Sequence, residues 1–157
     1  MLQSRINVWV DADACSVKTE IVRVCKRHGV VPWLVSNKSL ALFTDRRDVT
    51  VLTVTGDFDT AENCIVENLL PGDLVLTDET TLASQVLMEG GAALDFRGRW
   101  FTEENINELT AGLEQGDLRR KAGFFKGGPD KPVRADRSRL LRELDAFLSL
   151  ASKEAKS

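Results

Sequence analysis

Ile6-Asn7-Val8-Trp9-Val10-Asp11-Ala12-Asp13 is the stretch whose reading decides the fold. Ile6–Val10 is a short apolar run with high β propensity, and it stops abruptly at two aspartates. Such a run followed by a helical pattern reads as a buried strand feeding a crossover helix. The helical pattern comes at once: Ser16–His28 spaces Val17, Ile21, Val24, Cys25 and His28 along one face, and Gly29 is a natural stop. A first strand of this kind is expected at the centre of its sheet, beside the strands that share its site.

The same alternation continues down the chain. Val30–Val35 reads as a second strand, with Pro32 near its beginning, and Val49–Val54 as a third. Asp59–Leu70 reads as a helix closed by Pro71-Gly72, Asp73–Leu76 as a fourth strand, and Glu79–Met88 as a helix. Ala92–Phe96 reads as a fifth strand, and Thr102–Leu113 as a helix with Thr102 as its N-cap. Gly116–Ala135, rich in Gly, Lys and Arg, is expected to be a long loop. Asp136–Ala151 then places Leu140, Leu141, Leu144, Phe147 and Leu148 on one helical face. The expectation is one α/β domain over residues 1–157, with a mainly parallel central sheet of about five strands and helices on both faces.

The composition fits this reading. With 157 residues, 43% hydrophobic and 29% charged, the chain can bury a core without disulfides or metal staples. No apolar run approaches the roughly 20 residues that cross a bilayer, and the first five residues lead straight into the first strand, so a cytoplasmic, membrane-free protein is expected. The three cysteines, Cys15, Cys25 and Cys64, form no C-x-x-C motif, and with His28 the one histidine a structural zinc site lacks ligands. They are expected to be reduced and mostly buried. Cys25 and His28 stand three apart on one predicted helix, but nothing sets them in a cleft as a nucleophilic pair.

The net charge of −3 hides an asymmetry. Residues 1–118 carry 10 basic against 19 acidic side chains, and residues 119–157 carry 11 against 5. An acidic body with a basic C-terminal segment suits a phosphate-binding arm beside an acidic site, or self-complementary packing. The acidic residues gather at predicted strand ends: Asp11 and Asp13 after the first, Asp57 and Asp59 after the third, Asp78 and Glu79 after the fourth. Ligands of open parallel sheets bind outside these carboxyl ends. Converging carboxylates repel unless a cation neutralises them, and hard oxygen ligands without a His or Cys set select Mg²⁺ or Mn²⁺. Each of these acids also has a plainer use. Asp13 or Ser16 could cap the first helix, Asp59-Thr60-Ala61-Glu62 has capping-box spacing, and Asp73 follows a Pro-Gly turn.

The motifs resemble those of the YaiI/YqxD family of bacterial proteins, whose fold is grouped with the PIN-like nucleases. Val10-Asp11-Ala12-Asp13-Ala14-Cys15-Ser16-Val17-Lys18-Thr19-Glu20-Ile21 is similar to its V-D-A-D-A-C-P-V-K-x-E-I signature. Val35-Ser36-Asn37, Asp59–Ile65, Gly72–Thr77 with Leu82-Ala83, Asp95-Phe96-Arg97-Gly98, Gly127-Gly128-Pro129 and Asp136–Leu141 resemble further family segments, so the likeness spans nearly the whole chain. Departures are Ser16 for proline, Glu62 and Asn63 for an aspartate pair, Glu79 for aspartate and Thr81 for proline.

The resemblance implies a PIN-like three-layer sandwich, the basic loop and last helix packed on it, and a metal-dependent nuclease or phosphodiesterase acting on RNA. In that reading Asp11, Asp13, Asp59 and Glu79 are catalytic, and Asp11, Asp13, Asp59, Glu62 and Glu79 hold Mg²⁺ or Mn²⁺. Lys18, Arg119, Arg120, Lys121, Lys126, Arg134, Arg137 and Arg139 contact the nucleic acid, with Phe124-Phe125 available for stacking. Two alternatives stand beside it. A non-catalytic, nucleic-acid-associated or regulatory protein would keep the fold and fits Asn63, Glu79 and the basic tail. An aspartyl-phosphate phosphohydrolase would use Asp11 as nucleophile, Asp13 as acid/base and Thr77 at a later strand end, but lacks a lysine in the expected place.

Overall fold

β1 (Val8–Asp11) is fully buried and lies at the centre of the sheet. A computed structural model describes residues 6–55, 60–108 and 133–156 of the chain. A 3₁₀ turn (Ala12–Ala14) follows β1 and leads to α1 (Lys18–Arg27). Next come β2 (Trp33–Ser36), β3 (Thr50–Thr53), α2 (Ala61–Asn68), β4 (Leu74–Leu76), α3 (Thr80–Met88) and β5 (Ala92–Leu94). Residues 103–108 are helical (α4), and α5 (Arg134–Lys156) is the last helix.

All four strand pairings are parallel, in the order β3-β2-β1-β4-β5. The chain runs outward from β1 through β2 to β3, then returns to place β4 on the other side of β1. Strand order therefore reverses between β1 and β4, where a parallel sheet opens a crevice at its carboxyl edge.

Successive strand residues face opposite sides, and the two faces build two cores. Val8 and Val10 join Leu34, Leu74, Leu76 and Leu94 under α1 and α5, whose Ile21, Cys25, Leu140, Leu144 and Leu148 cover them. Trp9, Val35, Val75 and Ala93 meet Ile65 of α2, Leu82, Ala83 and Val86 of α3, and Ile106 of α4. Trp9 stacks on Trp33 at 5.0 Å between centroids. The result is the three-layer α/β sandwich expected from the periodicity, with β1 central as anticipated.

Local chemistry shifts several boundaries. α5 begins at Arg134 and runs to Lys156, so Arg134 and Ala135 are helical where a loop was expected. Asp136 is the reason: its Oδ2 accepts from Val133 N–H at 3.0 Å, while Arg137 N–H closes the first turn onto Val133 O at 3.1 Å. At α2 the cap is Thr60, whose Oγ1 accepts from Asn63 N–H at 3.0 Å, so Glu62 is free of the capping box anticipated for it. α1 has Val17 at its N-cap and no side-chain cap; neither Asp13 nor Ser16 serves it. Thr102 does cap α4, exchanging bonds with Asn105.

Candidate functional site

The end of β1 puts Asp11 in the crevice between β1 and β4, with only 8% of its surface exposed. Its Oδ2 accepts a hydrogen bond from Thr77 Oγ1 at 2.9 Å, across the strand boundary. Burial drives the Asp11 pKa above the ordinary carboxylate value. The Thr77 bond opposes that rise, and the charges of Glu79, Asp13 and Asp78 add to it.

Asp13 sits two residues on, in the middle of the 3₁₀ turn that carries the chain away from the sheet. It reaches sideways to the end of β2, where its Oδ1 accepts from Ser36 Oγ and its Oδ2 from Asn37 N–H at 2.9 Å. On the other side of β1, Glu79 is placed by the turn after β4. Its backbone N–H donates to Thr77 Oγ1 at 3.0 Å. Its carboxyl is raised by partial burial first, then by the neighbouring Glu62 carboxyl. Asp78 accepts from Phe96 N–H at 2.9 Å and is also raised, by burial and by Asp95, against Arg97 and Arg99. Among the described residues no ion pair neutralises Asp11, Asp13, Glu62 or Glu79.

The structure thus brings together four of the five acids expected at the site, Asp11, Asp13, Glu62 and Glu79, as one field of interacting charges. They are not drawn into a ligand shell: among the described residues no group of three or more acids, histidines or cysteines stands close enough to hold a metal ion. Asp59, expected to complete the set, lies outside the described residues.

The basic residues divide in the same way. Arg119, Arg120, Lys121 and Lys126 lie outside the described residues. Arg134, Arg137 and Arg139 are exposed on the first turns of α5. The turn Asp95–Arg99 ties that helix end to the crevice. Asp95 accepts from Arg97 N–H, Arg99 N–H and Arg99 Nε, Arg97 donates to Asp136 Oδ2 at 2.9 Å, and Phe96 N–H reaches Asp78. Gly98 makes this docking possible, because it holds φ +83° and a Cβ there would lie 2.6 Å from Leu140 N. Lys18 faces the 3₁₀ turn instead of open solvent, with Nζ donating to Cys15 O.

Two residues that carry the geometry were not among the expected site residues. Ser36 and Thr77 are both fully buried at the ends of β2 and β4, the strands flanking β1. Thr77 entered the sequence reading as a phosphohydrolase feature and Ser36 as part of a strand-end motif. The signal available was a hydroxyl residue closing each flanking strand.

The thiols and the histidine stay apart from the crevice chemistry. Cys15 and Cys25 are buried, and burial pushes each thiol up to about 12. His28 Nε2 pairs with Asp145 Oδ1 of α5 at 2.7 Å, well away from any nucleophilic use of Cys25. No described helix is long and apolar enough to cross a membrane.

Residues 9–150 match the family described as uncharacterized BCR, YaiI/YqxD family. A UPF0178 protein of Aromatoleum aromaticum is 40% identical over 147 residues, covering 92% of this chain and 97% of its own. A UPF0178 protein of Pectobacterium carotovorum is 36% identical over 150 residues, 94% of this chain and 99% of its own. One from Yersinia pestis is 36% identical over 153 residues, 96% of this chain and the whole of its own. With the crevice acids and nearly all of the sheet and its helices inside the matched span, the chain belongs to the YaiI/YqxD family.

Proposed function

We propose that this protein is a Mg²⁺- or Mn²⁺-dependent phosphodiesterase acting on RNA. The observation that carries this reading is Asp11: a nearly inaccessible carboxyl at the strand-order reversal, raised by burial and by three neighbouring acids, with no described cation paired to it. Structural acids are normally satisfied by donors or by Arg and Lys. A buried group whose nearest charges share its sign is a site that gains from a bound cation.

The donor type suits such an ion, while among the described residues no three of the crevice acids stand close enough to hold it without a further ligand. Asp11, Asp13, Glu62 and Glu79 offer carboxylate oxygens alone, the ligands preferred by Mg²⁺ and Mn²⁺, and Asp59 would join them. Bound there, the ion supplies Lewis acidity, lowering the pKa of an attacking water and offsetting charge on the leaving oxygen. The protein's own part is to bring the phosphodiester to the crevice. Arg134, Arg137 and Arg139, set beside the crevice by the Asp95–Arg99 turn, would hold flanking phosphates, with Arg119, Arg120, Lys121 and Lys126 extending the basic track.

A second reading is a nucleic-acid-associated protein without catalysis. It is favoured by the occupation of both Asp13 oxygens by Ser36 and Asn37, and by the separation of the acids, no three of which among the described residues stand close enough to hold an ion. One experiment separates the two. The protein is incubated with Mn²⁺ and a mixture of single-stranded and structured RNA, beside Asp11→Asn, while melting is followed with and without the metal. The catalytic reading expects cleavage by wild type alone and a metal-induced gain of about 2.7 kcal/mol at a hundredfold excess over Kd. Salt-sensitive RNA binding with no cleavage above Asp11→Asn and no metal response assigns the second reading.

A further inference from the structure

We infer that Ser36 and Thr77 are paired positioning residues, each fixing the orientation of one aspartate of the Asp11-Ala12-Asp13 motif. The inference rests on the proposed role of those aspartates and deepens it. The geometry on the two sides of β1 is the same. Thr77 Oγ1 donates to Asp11 Oδ2 at 2.9 Å, and Ser36 Oγ donates to Asp13 Oδ1. In each case the hydroxyl oxygen also accepts a backbone N–H from two residues further on: Glu79 N–H to Thr77 at 3.0 Å, and Lys38 N–H to Ser36 at 2.9 Å.

That second bond decides the direction of the first. A hydroxyl carries one proton, and its lone-pair side is already engaged by the main chain, so the proton is directed at the carboxyl. Both hydroxyls are completely buried, so neither has a water with which to exchange its partner. β4 and β2 pair with β1 from opposite sides. Thr77 follows Leu76, the partner of Val10, and so comes beside Asp11. Ser36 follows Val35, the partner of Asp11, and is met by Asp13 from the turn beyond the sheet. The consequence at Asp11 is that Oδ2 is committed to Thr77 among the described residues, leaving Oδ1 as the oxygen presented to a ligand. At Asp13 the backbone N–H of Asn37 holds the second oxygen as well. Orienting partners of this kind typically change metal affinity by about 10–100-fold when removed.

The test uses the full chain in four versions: Thr77→Val, Thr77→Ser, Ser36→Ala and wild type. Side-chain scalar couplings report the χ1 rotamers of Asp11 and Asp13 in metal-free protein, and calorimetry reports Mn²⁺ affinity. Wild type is expected to hold one rotamer at each aspartate. Thr77→Val frees Asp11 alone and weakens Mn²⁺ about tenfold or more, Thr77→Ser restores both properties, and Ser36→Ala loosens Asp13 alone, leaving it only the Asn37 N–H, so that its rotamers mix. A merely structural role lowers the melting midpoint without moving either rotamer, and that result overturns the inference. So does an unchanged Mn²⁺ affinity in a variant whose aspartate has been freed. If wild type binds no Mn²⁺ at all, the metal-dependent reading fails, while the rotamers still decide whether the hydroxyls position the aspartates. If Thr77→Val does not fold, Ser36→Ala and Asp13 carry the same decision.

Discussion

Two aspartates of this sheet, Asp73 and Asp11, are equally hidden from solvent and are held in opposite ways. Asp73, 2% exposed, stands just before β4 at the amino edge. It accepts from Asn7 N–H at 2.8 Å, Trp9 Nε1 at 3.1 Å, Leu70 N–H at 2.9 Å and the Asn7 side-chain amide. Asp11, at the carboxyl edge, has one hydroxyl from Thr77 and three acids around it. Donors surround the first, so its burial costs little and ties three segments together. The second is surrounded by its own charge, so its burial is paid for by the rest of the fold. Burial alone therefore does not mark a functional acid; the sign of what surrounds it does.

The largest effect that would break this comparison is expected at the amino edge. Asp73→Ala leaves the Trp9 indole and the Asn7 and Leu70 amides without their acceptor, and at about 1–3 kcal/mol per buried unmet donor the fold should lose about 3 kcal/mol or more. Urea denaturation measures it, and a loss under about 1 kcal/mol would show that Asp73 is not the staple described. Next comes Gly98→Ala, expected to cost about 2 kcal/mol through its left-handed backbone and to loosen the Asp95–Arg99 turn from α5. Its sharper readout is RNA affinity, which should fall together with stability if the turn sets the basic helix end beside the crevice.

The pH dependence sharpens the contrast at Asp11 itself. Its folded pKa is raised, so the folded state binds more protons there than the unfolded state. Its contribution favours folding fully below the ordinary carboxylate value of 3.8 and is lost as pH rises through the folded pKa. Asp11→Asn removes that loss, so the variant should gain on wild type steadily from acid to neutral pH in denaturation series. A difference constant with pH would mean that burial and the neighbouring acids do not raise the Asp11 carboxyl. Asp145 must behave in the opposite sense. The His28 bond holds its pKa low, so its contribution is present above the ordinary value and lost as pH falls through the folded one.

The smallest effect concerns the thiols. With Cys15 and Cys25 buried and pushed up to about 12, native protein at pH 7.5 should be alkylated at Cys64 well before either. Peptide mapping after iodoacetamide reads the order, and early modification of Cys15 would show that the core beneath α1 opens to solvent.

Several of these features were legible in the chain itself. Val8, Trp9 and Val10 followed by Asp11 and Asp13 announce a buried strand with acids at its end, because apolar runs and their breaks are local properties. The five strands, the crossover helices and the Leu140–Leu148 face of the last helix follow from period alone, and Thr102 at the start of α4 from the capping chemistry of its hydroxyl. Boundaries set by a single side chain were not legible. Asp136 moves the start of α5 back to Arg134, and Thr60, not Asp59, caps α2, since either choice satisfies the same spacing rule.

What the sequence by itself determined is the set of acids and the alternation that brings strand ends to one edge. Only the tertiary structure decided which acids matter to one another. Asp73 and Asp11 look alike in the chain, each beside an apolar strand, and differ only in what lies across the strand boundary. Asp13 could have capped α1 and instead turns to Ser36, and Glu62 could have closed a capping box and instead meets Glu79. The physical reason is range. Propensity and spacing act over a few residues, whereas Thr77 for Asp11 and Asn7 for Asp73 each stand 66 residues away in the chain and are supplied by the pairing of β1 with β4.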